Sequence, residues 1–147
     1  MKDPLQLHLR SLQTPAQAER HVIRVRFAEC LQRQPALEGD DDERVHGFRL
    51  ACKRLRFALE RLEPQPEELK RAASLLATLC DELGWAHDCA RLAQFASECG
   101  APLVAARALC DRARYLVRAR RIWRHAFRTS GEFAPLASYA GFSWSIQ

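Results

Sequence analysis

Apolar residues recur every three or four positions along most of the chain, which is the period of an α-helix that buries one face. Prolines and glycines divide this pattern into segments. The first helix is predicted to begin at Thr14-Pro15, because Thr14 can cap a helix, Pro15 suits its first turn and Gln17 can complete a capping box. Gly84 is predicted to interrupt the pattern, with a further helix after it that ends near 99. The other predicted helices cover about 15–33, 42–62, 66–83 and 103–128.

This pattern predicts an all-α fold, a bundle of about five helices that forms one domain over 1–147. A chain of 147 residues is long enough to bury a core, and no strand-like alternation of apolar and polar residues persists. An aromatic and nearly uncharged tail follows Ser130-Gly131. Two interpretations of the tail stay open: it covers its own bundle, or it contacts a partner.

The second predicted helix has two different arcs when residues are placed 100° apart. One arc is apolar and is predicted to be buried: Phe48, Ala51, Cys52, Leu55, Ala58, Leu59 and Leu62. The opposite arc carries four basic side chains, called here the α2 stripe: His46, Arg49, Lys53 and Arg56. Two large apolar residues, Leu50 and Phe57, lie on the same arc. A face that is fully exposed to water would not need them. We therefore expect the α2 stripe to line a groove.

The last predicted helix is also basic, since residues 107–128 contain eight arginines and one acidic residue, Asp111. Arg107, Arg114, Arg118 and Arg121 lie within a narrow arc, and the apolar residues Leu109, Leu116, Trp123, Ala126 and Phe127 lie opposite. Like charges at this spacing repel one another in an isolated helix. We expect an extended anion to neutralise them, along about 30 Å of helix.

The charge of the whole chain also favours anionic partners. The formal net charge is +5, and all basic residues except Lys2, Lys53 and Lys70 are arginine, whose planar guanidinium suits phosphate. The sequence has no glycine-rich phosphate loop, no acidic pair placed for Mg²⁺ and no nucleophile elbow. His46 and His87 could exchange protons, but neither has an evident nucleophile or metal ligand beside it. We expect a binding protein with no catalytic residues, metal or cofactor.

The six cysteines, at 30, 52, 80, 89, 99 and 110, form no CxxC motif. Without a secretory leader we expect them to be reduced, buried thiols in a cytoplasmic protein. A zinc site can be drawn from Cys80, His87 and Cys89, but this spacing matches no zinc motif. No run of 18 apolar residues occurs, so we expect no membrane span.

Two blocks of sequence carry a resemblance to a known family. The first reads HGFR at 46–49 followed by KRLRFAL at 53–59, and the second, about 25 residues later, reads LGWAHD at 83–88. Over about 15–99 the chain resembles the CHAD family, α-helical domains named for their conserved histidines. The resemblance implies a helical bundle whose basic inner surface binds inorganic polyphosphate without catalysis, in proteins associated with polyphosphate granules.

The resemblance also implies roles for individual residues. Polyphosphate contacts are expected from His46, Arg49, Lys53, Arg54, Arg56 and His87, and Asp88 is expected to orient a basic side chain. Charge and helical period, rather than the resemblance, add Arg20, Arg24, Arg114, Arg118 and Arg121. Nucleic acid is the second choice of partner, because aromatic residues do not alternate with the arginines along these helices. A helical adaptor for another protein is the third.

Members of the family usually carry this segment twice, as two bundles that face each other. The chain carries it once and resembles the usual second copy. A C2 homodimer is therefore the simplest way to supply a second facing surface, since cyclic dimers are the commonest oligomers. The aromatic tail over 133–144 is the interface that we expect if it does not cover its own bundle.

Overall fold

The computed structural model describes residues 3–8, 14–127 and 131–142. These ranges contain five α-helices and no strand, so the predicted all-α fold is confirmed. The helices are α1 (Pro15–Arg33), α2 (Asp42–Glu60), α3 (Glu67–Glu98), α4 (Pro102–Ala126) and α5 (Ala134–Ala140), and a 3-10 helix (Gln34–Glu38) follows α1.

Side-chain caps fix the starts of the first two helices. Thr14 Oγ1 accepts a hydrogen bond from the backbone N–H of Gln17 at 3.2 Å, and Gln17 Oε1 accepts one from the N–H of Thr14 at 3.3 Å. This is the predicted capping box. At the start of α2, the Asp41 carboxylate accepts from the N–H groups of Glu43 and Arg44. These bonds satisfy backbone donors that a helix leaves without partners.

The predicted break at Gly84 is wrong. α3 continues through this glycine as a helix of 32 residues, so the third and fourth predicted helices are one element. A glycine inside a helix costs about 1 kcal/mol relative to alanine but removes no hydrogen bond and causes no clash. Tertiary packing on both sides of Gly84 outweighs that cost.

Most of the described buried apolar residues form one connected core, and the four outside it are alanines of the distal parts of α3 and α4: Ala93, Ala96, Ala105 and Ala108. The predicted apolar arc of α2 lies in it, although Ala58 is only half-buried. On α4, Leu116, Trp123 and Ala126 are buried as predicted, but Leu109 is 53% exposed. The reason is position along the bundle. Arg112 of α4 contacts Asp42 at the very start of α2, so the part of α4 before Arg112 lies beyond the end of α2.

The described part of the tail covers its own bundle. Phe133, Leu136 and Ala137 are fully buried. The Phe133 ring makes edge contacts with Phe27 and Trp123, at centroid distances of 6.3 and 5.5 Å. These apolar groups are used inside the protomer, which removes them as a dimer interface. Residues 143–147, including the rest of the expected interface, lie outside the described residues.

We predict that Leu55→Ala lowers the free energy of unfolding by about 2–5 kcal/mol, because it removes a fully buried side chain from the centre of α2. The matched control is Leu103→Ala, in which the side chain is 85% exposed and the change should stay within about 0.5 kcal/mol. Urea denaturation followed by circular dichroism measures both. Equal effects of the two variants would contradict the assignment of the buried face of α2.

Candidate functional site

The two histidines selected from the sequence are in contact. Helices α2 and α3 pack side by side, and the rings of His46 and His87 have centroids 4.8 Å apart with a tilt of 32° between their planes. Both side chains are half-buried. The two sequence blocks therefore form one site, with His46 supplied by α2 and His87 by α3.

Arg49 joins the two helices next to the histidines. Its Nε donates a hydrogen bond to the carbonyl oxygen of Cys80 at 3.1 Å, and the Cys80 thiol lies 3.9 Å from the carbonyl oxygen of Arg49. The guanidinium lies on the α3 backbone at Gly84, where a Cβ would be only 3.2 Å from Nη2 and 3.3 Å from Nε. The missing side chain of Gly84 makes room for Arg49, which gives the LG pair at 83–84 a physical role.

The pKa of the Cys80 thiol depends on the cations of the α2 stripe. Burial raises the pKa of Cys80 to about 12, while the positive charges of Arg49, Arg56 and Lys53 act in the opposite direction. Electrostatic influence of this kind weakens with distance. The three cations of the α2 stripe therefore lie near the same point on α3.

An aromatic ring contacts the two C-terminal members of the α2 stripe, Lys53 and Arg56. Phe57 is 45% exposed, and its ring lies 4.7 Å from Arg56 Cζ and 5.9 Å from Lys53 Nζ. Cation–π contacts of this length hold a charged group without consuming its hydrogen-bond donors. All four members of the stripe are half-buried, so the stripe is not the open, solvated face of a surface helix.

Arg54, which the resemblance also placed in the site, has a different set of contacts. Its Nη1 lies 2.7 Å from an oxygen of Glu29 on α1, a carboxylate with no exposed surface. Arg26 and Arg33 approach the same carboxylate at 2.9 and 3.6 Å. A buried carboxylate is stable only when paired. The contacts of Arg54 thus join α1 to α2, and its role toward an anion stays a prediction.

The two residues of the pair His87-Asp88 have different surroundings. His87 Nδ1 is buried and has no hydrogen-bond partner among the described residues. Asp88 is exposed, and the described part of the chain gives it no ion pair. The orienting role expected for Asp88 therefore stays a prediction, while the Nδ1 of His87 is enclosed at the histidine pair.

Arg20 and Arg24 lie elsewhere. Their guanidinium carbons are 5.6 Å from the Tyr139 ring and 5.9 Å from the Phe142 ring, against the C-terminal segment. Together with His21 they line a separate pocket at the end of α5. The structure does not bring these two arginines to the α2 stripe.

The exposed arginines of α4 lie across α3 from the histidine pair. Arg118 is 4.0 Å from Glu82 and 5.6 Å from the Tyr115 ring. Glu82 and Gly84 are two positions apart on α3 and so point about 200° apart. Arg114 and Arg121 are exposed on the same helix as Arg118. Helical period identified these cations but could not show that α3 separates them from the α2 stripe.

Other arginines of α4 contact the 3-10 helix and the first residue of α2. Arg112 Nη2 lies 2.6 Å from Asp42 Oδ1, Arg124 pairs with Glu38 at 2.9 Å, and Arg120 Nε donates to the carbonyl oxygen of Leu37. This structural role was not predicted from the sequence. The acidic run at 40–43 was the available signal, because a loop so rich in carboxylates needs cations nearby.

The cysteines follow the expectation only in part. Cys30, Cys52 and Cys80 are buried, and burial raises the pKa of the Cys52 thiol well above its ordinary value. Cys99 and Cys110 are exposed instead, because they lie where α3 and α4 extend beyond α2. Within the described residues, no three histidine, cysteine or acidic side chains are grouped in a way that could hold a metal ion. None of the helices in those ranges is both long and apolar enough to cross a membrane.

Comparison with protein families gives one match. A model described as the CHAD domain matches residues 2–97. Because the match covers most of the chain, the chain belongs to the CHAD family, which is associated in general with polyphosphate binding. No curated protein and no solved structure gives a significant match.

We predict that Arg54→Ala lowers the free energy of unfolding by about 1–3 kcal/mol, because buried Glu29 loses its shortest charged partner. The control is Lys70→Ala, whose partner Glu67 is exposed and whose loss should cost less than about 1 kcal/mol. Chemical denaturation of both variants measures the difference. If Arg54→Ala matches the control, Glu29 does not depend on Arg54.

Proposed function

We propose that the chain binds inorganic polyphosphate, without catalysis, at the surface formed by His87 and the α2 stripe. The observation that carries the proposal is the contact between His46 and His87 beside Arg49. Residues from two separate sequence blocks, both characteristic of the family, meet at one place. Family membership supports the choice of polyphosphate as the anion.

The chemistry of the side chains fits a repeating phosphate polymer. A guanidinium offers five N–H donors, and Arg49 uses Nε toward Cys80, which leaves its Nη groups for phosphate oxygens. His87 lies beside these donors through its contact with His46, and its own Nδ1 is enclosed rather than open to a ligand. Half-burial strengthens each of these interactions, because charges attract more strongly where water is partly excluded.

Binding rather than turnover is proposed because the contacts at the site position positive charge, and holding a polyanion requires no bond to break. Arg54 and Asp88 are kept as secondary members of the site. A cytoplasmic location at polyphosphate granules belongs to the same proposal and is supported by family membership alone. A C2 homodimer that places two such surfaces face to face also stays a prediction.

We predict that the double variant Arg49→Ala, Lys53→Ala weakens polyphosphate binding and makes its salt dependence shallower by about two units in the slope of log affinity against log salt. Each lost phosphate contact removes roughly one unit, because fewer counterions are released. Fluorescence titration with labelled polyphosphate at several salt concentrations measures both quantities.

The matched control for this experiment is Lys70→Ala, Arg71→Ala. It removes one lysine and one arginine, as the test variant does, but from the exposed first turns of α3. The control should leave affinity and slope close to those of the unmodified chain. Equal losses in both double variants would show that net charge, not the α2 stripe, determines binding.

A further prediction concerns Gly84→Ala. The added Cβ would lie 3.2 Å from Arg49 Nη2, so the guanidinium must shift by a few tenths of an ångström on α3. We expect weaker polyphosphate binding, while helix stability is maintained or raised by up to about 1 kcal/mol, because alanine is the better helix former. Thermal unfolding and the same titration separate the two effects. Unchanged affinity would mean that the position of Arg49 is not required.

A further inference from the structure

An aromatic and arginine-rich surface lies on the outer side of the α3–α4 pair. Trp85 of α3 is 49% exposed, and its ring centroid is 5.5 Å from that of Tyr115 on α4. The guanidinium of Arg118 lies 5.6 Å from the same Tyr115 ring. A large exposed indole next to cations is unusual for a surface that only faces water.

Both rows of this surface continue along their helices. On α3, Leu92 and Phe95 follow Trp85 by seven and ten residues, which keeps them on one side of the helix, and Phe95 is 64% exposed. On α4, Arg107 and Arg114 are seven residues apart and point to one side. The rows run antiparallel from the Trp85–Tyr115 contact, over about 15 Å of helix. We call this surface the aromatic–arginine face: Trp85, Leu92, Phe95, Arg107, Arg114, Tyr115 and Arg118.

Acidic residues on this face leave the arginines available. Asp111 accepts from Arg107 at 2.9 Å and from Arg114 at 3.2 Å, and Arg118 is 4.0 Å from Glu82. Asp88 is also exposed, one turn from Trp85. The three arginine side chains remain 61–71% exposed. The partners Asp111 and Glu82 are only 30% and 12% exposed, but the guanidinium groups lie on the solvent side of these pairs, where a phosphate can bind them.

The face is separate from the histidine pair. Trp85 and His87 are two positions apart on α3 and point about 200° from each other. Its ligand therefore need not be the anion proposed for the α2 stripe, and the inference does not depend on that proposal. The aromatic rings distinguish the two ligands, since a chain of phosphates has nothing to stack on an indole.

We propose that the aromatic–arginine face binds single-stranded nucleic acid, with a base stacked on Trp85 and backbone phosphates held by Arg114 and Arg118. Surfaces that bind single strands without sequence preference combine cations along the backbone with rings for the bases. The sequence argued against nucleic acid because no aromatic residues alternate with the arginines along one helix. The one ring among these arginines is Tyr115, and the fold places Trp85 of α3 beside it.

The test compares two ligands that differ only in their bases: labelled oligothymidylate of about 12 nucleotides and an abasic deoxyribose-phosphate oligomer of equal length. Fluorescence polarisation with the full chain should show tighter binding of oligothymidylate. Trp85→Ala should weaken that binding about fivefold or more, which is the lower end of the effect expected from losing one stacked base. Its affinity for the abasic oligomer should equal that of the unmodified chain. Trp85→Phe should retain most of the affinity.

Two controls keep the result interpretable. Circular dichroism melting checks that Trp85→Ala is folded; if it is not, the comparison of oligothymidylate with the abasic oligomer on the unmodified chain decides the result. The double variant Arg49→Ala, Lys53→Ala should bind oligothymidylate normally, whatever it does to polyphosphate. The proposal is overturned if the two oligomers bind equally, if Trp85→Ala has no effect on oligothymidylate, or if the unmodified chain does not bind it.

Discussion

The guanidinium of Arg49 lying on the backbone of α3 is the contact on which the candidate site depends. Gly84 leaves the space, and the Cys80 carbonyl supplies the acceptor. This contact adds a hydrogen bond to the apolar packing that sets the register of α2 against α3. The contact of His46 with His87 follows from that register, because both lie on the same two helices close to Arg49. The glycine that was predicted to interrupt a helix instead leaves room for a charged side chain that joins two helices.

The arginines that the structure describes divide into two groups with different physical roles. Some have carboxylate or carbonyl partners and hold the fold: Arg54 with buried Glu29, and Arg112 with Asp42. Others, such as Arg114 and Arg118, stay exposed despite nearby acids. The net charge of +5 does not distinguish these two groups. Attraction for an anion depends instead on where the uncompensated donors point.

The helices and their buried arcs could be predicted because they follow from local period and capping. The box at Thr14 and the apolar arc around Leu55 are examples. The predictions that were wrong depended on contacts with neighbouring helices. Leu109 is exposed because α2 ends before reaching it, and Gly84 is helical because Arg49 packs against it. The contact of the two histidines was available only through family resemblance, since no periodicity within one helix joins residues from two.

The placement of cations on opposite sides of α3 has a consequence for how anions would interact on this molecule. A helix with its side chains is about 10–12 Å across, and the Debye length at physiological ionic strength is about 8 Å. Anions held at the α2 stripe and at the aromatic–arginine face would therefore repel one another only weakly through solvent. Their binding would be nearly independent at physiological salt and mutually unfavourable at low salt, where the Debye length exceeds the thickness of α3.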